Sequence, residues 1–335
     1  MECGHRSLSQ LAQRRLELRL HRLAPRSYIT YRSHLRKFFA FCHQYSINPQ
    51  RLTSVHKEEF IAYLTLNGGN GATAPQYLSG INTIFRSADL PLPFPPQHPS
   101  RQLLKGARRL QPPGHKHRQA LPPSTVQSIL TLGLTSDDPS TIQAAASIIF
   151  CIIFGFRGHT YAAIQQRHVR LTTATIDVDV DDEKHWYMRD TRAKKRTVTY
   201  HATADNQPVF DLFNRFHPLR PANQPTRSFF SLASDPPRLP ATALNATVHR
   251  TLAQLHLSAP GYNGHSIRYN FASMCHSINV ALIKICFIGG WASDSGAVHR
   301  YIEANYPFHP ISSLLFNGML PPPFRHSIPP HLLGL

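Results

Sequence analysis

Acidic residues are scarce in this chain. Against 36 Lys and Arg there are only 18 Asp and Glu in 335 residues, a formal net charge of +18 with a pI near 10.2. So one-sided a balance favours polyanionic partners, meaning nucleic acid or an acidic membrane surface. The basic residues are spread over both halves rather than gathered in one tail, which fits a clamp around a duplex better than a single sticky arm. Cysteine is sparse as well: Cys3, Cys42, Cys151, Cys275 and Cys286 are odd in number, scattered and never at CxxC spacing. That usage points to a reduced intracellular compartment. Long apolar runs are missing. The most apolar stretch, Ala144 to Phe156, falls short of the about 20 residues a bilayer span needs and reads as a buried helix. No charged n-region followed by an apolar h-region opens the chain, which predicts a protein that is not secreted. Histidine is abundant, at 21 residues, but the tightest pair, His115 and His117, has no Cys or carboxylate at ligand spacing, so no metal is expected.

The length allows two domains, each with its own core. Residues 1 to about 22 alternate leucines with Arg14, Arg15, Arg19 and Arg22 as on an amphipathic helix, either a solvated face or an arm that contacts DNA. From Ser27, the residues Tyr31, Leu35, Phe38, Phe39 and Cys42 fall at helical spacing, with Arg32, Arg36 and Lys37 on other faces. Further helices are predicted from Ser54 through Leu64, from Pro75 through Phe85, and over the basic stretch 100–109, with a Gly-Gly-Asn-Gly turn at 68–71 between the first two. We read 1–110 as a small helical bundle with a basic face and 111–123, QPPGHKHRQALPP, as an extended, rather stiff linker. Residues 124–335 form the second domain. Helices are predicted there over Ser124–Leu134, from Asp138-Pro139 to Phe156, over Val209–Phe216 and over Ala241–Leu255. Thr175–Val180 alternates, and HWYMRD and RTVTYH follow across polar turns, which predicts a small antiparallel sheet. The apolar piece Ile311–Leu320 either docks into a neighbouring protomer or folds back on its own domain.

The chemistry concentrates between Gly264 and Glu303, in GHSIRYNFASMCHSINVALIKICFIGGWASDSGAVHRYIE. His265 and Arg268 at HxxR spacing lie on one face near the start of a helix, where free N–H groups also favour an anion. A phosphodiester under attack accumulates charge on its non-bridging oxygens, and a guanidinium meets that charge with a planar, permanently cationic fork. Tyr301, on a stretch that reads as the amphipathic helix SGAVHRYIEANY, is either a buried core tyrosine or a nucleophile. With an ordinary pKa of about 10, a nucleophilic phenol needs cationic neighbours or a base to take its proton. Upstream, Arg157 sits in GFRGHTYAAI where a buried helix gives way to glycine. By itself it reads as a cap on that helix.

The order HxxR, Gly289-Gly290-Trp291 and Tyr301-Ile302, with Arg157 after a Gly-apolar pair, resembles the catalytic end of the tyrosine recombinase (phage integrase) family. The pattern S-x-x-T-Y-x-x-x-L-x-x-F-x-x-F-C beginning at Ser27 is similar to that family's core-binding domain, so the resemblance spans about residues 27–306. It implies a mainly α fold with a small antiparallel sheet in the C-terminal domain: a four-helix core-binding domain joined to a catalytic domain that closes on double-stranded DNA. It further implies site-specific strand cleavage and rejoining through a 3'-phosphotyrosyl intermediate at Tyr301. Arg157, Arg268 and His265 would hold the phosphate, and Trp291 stands where many members carry His. A lysine on a turn of the sheet would protonate the leaving 5'-oxygen. Lys194 is assigned that role, with Lys195 beside it; an ungapped comparison with the Xer-type pattern puts Thr191 there, so the loop must be shifted. Neither metal nor small-molecule cofactor is implied, and the synaptic complex would be a homotetramer. Such a protein would work in the nucleus of a eukaryotic host or in the cytoplasm and nucleoid of a bacterium. One departure is clear: the acidic residue usual three positions after Arg157 is Thr160. It keeps open a DNA-binding remnant without turnover, and the shared covalent chemistry keeps open a type IB topoisomerase-like enzyme.

Overall fold

Proline punctuates this chain, and helices fill the intervals. Pro75, Pro123, Pro139, Pro208 and Pro310 each lie in the first turn of a helix, where the missing N–H costs nothing and the fixed φ suits the start. The structure is a computed structural model describing residues 8–21, 25–66, 73–110, 119–180, 196–257, 261–291, 296–303 and 305–319. The chain divides into two units, Met1–His115 and Lys116–Leu335. No helix among the described residues is long and apolar enough to cross a membrane.

The first unit contains α1 (Leu8–His21), α2 (Pro25–Gln44), α3 (Ser54–Thr65), α4 (Ala74–Ser87) and, after a 3-10 turn over Pro99–Gln102, α5 (Leu103–Leu110). Its core is aromatic. Phe38 meets Phe60 and Phe94 edge-on, with ring centroids 5.3 and 5.7 Å apart, a geometry that adds to area burial. The buried Asn82 side chain fastens Phe94 by both its backbone groups, accepting from the N–H at 3.1 Å and donating to the carbonyl. The four helices of the bundle read from the sequence are present, and so is the amphipathic N-terminal helix, as α1, from which Arg15 and Arg19 reach Asp89. The glycine turn at 68–71 lies outside the described residues.

The second unit is built around α7 (Pro139–Phe154), whose residues from Ala144 to Phe154 are all buried. Packed around it are α6 (Pro123–Thr135), α9 (Gln207–Phe216), α10 (Ala243–Gln254) and α11 (Gly264–Ser277). Asp138 caps α7, and Gly155, at φ 62, ends it in the left-handed conformation. The short α8 (Gly158–Ala163) then leads to the sheet, β1 (Val169–Leu171), β2 (Thr175–Val180) and β3 (Arg196–His201), antiparallel in that order. Alternation sends Ile176, Val178 and Val180 inward. Asp177 and Asp179 face outward, accepting from the Thr199 and Thr197 hydroxyls. The predicted strand HWYMRD lies outside the described residues. After α12 (Leu282–Gly289) and a 3-10 turn at Val298–Tyr301, α13 (Pro310–Phe316) and a last 3-10 turn at Asn317–Met319 end the described chain. Ile311, Leu314, Leu315 and Phe316 are buried against this unit's own core, on α6 and α11, so in this chain the described part of the tail folds back.

Candidate active site

α11 is the element on which the site is assembled. Asn263 caps it, its side chain accepting the His265 N–H at 2.8 Å, while Ser266 Oγ accepts the Asn263 N–H at 3.2 Å. The Gly264 N–H donates to Asn245 Oδ1 at 2.8 Å and the Ser266 N–H to the Asn263 carbonyl at 2.8 Å. The first three N–H groups of the helix are therefore committed within the protein, which corrects the expectation of free donors at this helix start. Any anion held beside α11 must be met by side chains.

Arg268 is such a side chain, buried to 1% exposure. Its Nη1 donates to the Gly155 carbonyl. Its guanidinium lies 3.9 Å from the centroid of the Trp291 ring, and the Tyr301 ring is 5.4 Å away. Trp291, 8% exposed, follows Gly290, which ends α12 in the left-handed conformation at φ 65. Gly289 is required for contact rather than conformation: a Cβ there would run into the Trp291 ring. Phe271 stacks beside the indole, with centroids 6.0 Å apart and ring planes 15° from parallel. Arginine keeps its charge in such surroundings, and water screens it little.

Tyr301 ends its 3-10 turn half-buried, ringed by Trp291 at 5.1 Å, Tyr269 at 5.0 Å and His265 at 5.9 Å between centroids. Its hydroxyl oxygen is 3.3 Å from His265 Nε2, the contact that joins the phenol to a potential proton acceptor. The segment is not the amphipathic helix predicted over 295–306. Ile302 is extended, Pro307 disfavours a helical Tyr306, and the Glu303 N–H donates to Ser273 Oγ at 3.0 Å instead of a carbonyl one turn back.

His265, Arg268, Trp291 and Tyr301 thus come together from stretches up to 36 residues apart. Arg157 lies two residues beyond the carbonyl that Arg268 binds, as the extended residue before α8. Thr160, on α8, is buried. Lys194 and Lys195 lie outside the described residues, as do His115 and His117. Three residues escaped sequence reasoning: Tyr269 against the Tyr301 ring, Asn270, and Ser273. For Tyr269 and Ser273 a signal was available, since 265, 269 and 273 are one helical face at steps of four. Tyr306 is engaged elsewhere, donating to the Leu121 carbonyl at 3.0 Å and accepting from Asn270 at 3.1 Å, with burial pushing its phenol above the ordinary tyrosine range.

The sequence matches no protein-family model and no curated protein. Solved structures match its fold. The XerH site-specific recombinase bound to palindromic difH substrate is 16% identical with a TM-score of 0.58, covering 82% of this chain and 75% of that one. The Tn1549 transposon integrase in complex with circular intermediate DNA is 14% identical at 0.55, covering 77% and 83%. A lambda integrase dimer bound to a COC' core site is 12% identical at 0.54, covering 89% and 95%. A mainly helical chain with a three-stranded antiparallel sheet that superposes on all three has the tyrosine recombinase fold.

Proposed function

We propose that this protein cuts and rejoins double-stranded DNA at specific sites, with Tyr301 as nucleophile. The observation that carries the reading is the 3.3 Å approach of Tyr301 Oη to His265 Nε2 beside the buried Arg268, in a chain with this fold. The phenol proton passes to His265 Nε2 as the phenolic oxygen bonds to phosphorus. The bond from phosphorus to the 5'-oxygen breaks, and that oxygen leaves as a 5'-hydroxyl on taking a proton from Lys194, or from Lys195 beside it. The imidazolium so formed joins the guanidiniums of Arg268 and Arg157 around the non-bridging oxygens, where charge grows in the transition state. Trp291 has the Arg268 guanidinium over its ring and offers its indole N–H as a further donor. Because the 3'-phosphotyrosyl link conserves the phosphodiester's energy, a partner strand's 5'-hydroxyl reseals it with neither metal nor nucleotide. Four copies would pair two duplexes in the synaptic complex. The DNA in the solved complexes of XerH, the Tn1549 integrase and lambda integrase supports DNA as the partner.

The test is a denaturing gel for a protein–DNA adduct on a pool of nicked duplexes of randomised sequence, wild type beside Tyr301→Phe. An adduct in the wild type only is the expected result; an adduct that persists in Tyr301→Phe would remove Tyr301 from its role. A second reading, a DNA-binding remnant without turnover, draws on Thr160, which brings no charge to α8 where an acid is usual. Tight duplex binding with no adduct would favour it.

A further inference from the structure

A nucleophile is only as well placed as its backbone, and Tyr301 has little regular structure to place it. Its 3-10 turn spans Val298–Tyr301 and stops there, with Ile302 extended. Beyond the turn the backbone is held first by hydrogen bonds from α11. The fully buried Ser273 hydroxyl donates to the Tyr301 carbonyl at 3.1 Å and accepts the Glu303 N–H at 3.0 Å, so one oxygen brackets Ile302 and both its peptide links. One turn earlier on α11, Asn270 binds both backbone groups of Leu121, at 2.9 Å from its N–H and 2.8 Å to its carbonyl. The Glu303 carboxylate accepts the neighbouring Ala120 N–H. The strand of chain at 120–121 and the segment at 301–306 are thereby tied to each other and to the helix that carries His265 and Arg268.

From this we infer that Ser273 is a positioning residue for Tyr301: it references the nucleophile's backbone to the same helix that presents the phosphate-binding side chains. The inference rests on Tyr301 being the nucleophile. With Ser273 in place, the phenol and the His265–Arg268 pair move together, and their separation does not depend on the short turn. Removing the hydroxyl frees the Tyr301 carbonyl and the Glu303 N–H at once, and the turn drifts while the phosphate ligands on α11 stay. A displacement of about 1 Å at a reacting atom costs on the order of 100-fold in rate.

Two reactions separate placement of the nucleophile from activation of the phosphate. The first is adduct formation on the nicked-duplex pool by wild type, Ser273→Ala and Ser273→Thr. The second uses hydrogen peroxide as a diffusible nucleophile in a Tyr301→Phe background, with and without Ser273→Ala. There the hydroperoxide oxygen bonds to phosphorus and the 5'-oxygen leaves with a proton, so His265 and Arg268 act with no phenol to place. Ser273→Ala is expected to slow adduct formation by about 10- to 100-fold and to leave peroxide-supported cleavage and duplex affinity within twofold, with Ser273→Thr, which keeps the hydroxyl, recovering most of the adduct. An unchanged adduct rate in Ser273→Ala overturns the inference. So does an equal loss in both reactions, which marks a general fault in folding. Absence of any adduct in the wild type instead removes the reading of Tyr301 on which the inference stands.

Discussion

Arg268 is the bulkiest of the fully buried side chains among the described residues. Taking a charge out of water costs several kcal/mol, which a protein recovers only through well-made contacts. Here they include the Gly155 carbonyl and the face of Trp291. To make both at once takes a cation with a donor at its edge and a face for the ring. Lysine would keep the charge but concentrates it on a compact, strongly hydrated ammonium with no face to lay on an indole. Arg268→Lys is therefore expected to lower single-turnover adduct formation by about 100- to 1,000-fold, the loss that comes with removal of one oxyanion donor. Duplex affinity, which many cations share, should change by less than tenfold, as read by fluorescence anisotropy. Loss of affinity in step with cleavage would show that Arg268 holds the ground state as firmly as the transition state.

At the scale of elements, α7 is the post on which the second unit is hung, and its start depends on Asp138. That carboxylate accepts the Ser140 and Thr141 N–H groups at 3.2 and 3.0 Å and both their hydroxyls. These bonds, the Ser140 and Thr141 hydroxyls foremost, hold its pKa at about 2, below the ordinary 3.8. A depressed carboxyl stabilises the fold above its unfolded value and ceases to as pH falls through the folded one. Asp138→Ala is expected to cost about 0.5–2 kcal/mol at pH 7, towards the low end because the group is exposed. The gap from wild type in urea denaturation should close between pH 4 and pH 2. The start of this helix was legible in the sequence from Asp-Pro, as was β2 from its alternation; its end was read two residues late, at Phe156, because the apolar run continues past Gly155, whose left-handed conformation stops the helix at Phe154. The Tyr301 segment was not legible. Its apolar spacing suits a helix, and apart from Pro307 what says otherwise is long-range: Ser273 Oγ on the Glu303 N–H, 30 residues away, and the Ala120 N–H on the Glu303 carboxylate, 183 residues away. Periodicity reports which face is buried, not which long-range hydrogen bonds compete with the helix. His265, Arg268 and Tyr301 could be found from their order and spacing; the steps of four from His265 place Ser273 on the same helical face, but a buried serine there does not by itself declare a role.

For the whole molecule, the sign of the charge was readable at once, and the structure adds where the acids go. Asp89 is engaged by Arg15 and Arg19, Asp177 and Asp179 by Arg170, and Asp137 by Arg215, so these acids offset particular arginines locally. Other cations remain on the surface of each unit: Arg32, Arg36, Arg86, Lys105 and Arg109 in the first, and Arg167, Arg250 and Arg300 in the second, all exposed. Cations of this kind act on a duplex by displacing its condensed counterions, a contribution that is independent of base sequence and weakens as salt rises. If the two units share the duplex, roughly six to ten phosphates are contacted, and affinity falls by roughly 1,000- to 100,000-fold between about 50 and 200 mM salt. Anisotropy titrations of a labelled random duplex across that range measure the slope directly. A full-length slope equal to the sum of the slopes for residues 1–110 and 119–335, each tested once its own cooperative unfolding is established, means that both units take phosphates. A full-length slope no steeper than that of one unit alone assigns the surplus charge of the other to solubility, and the clamp fails with it.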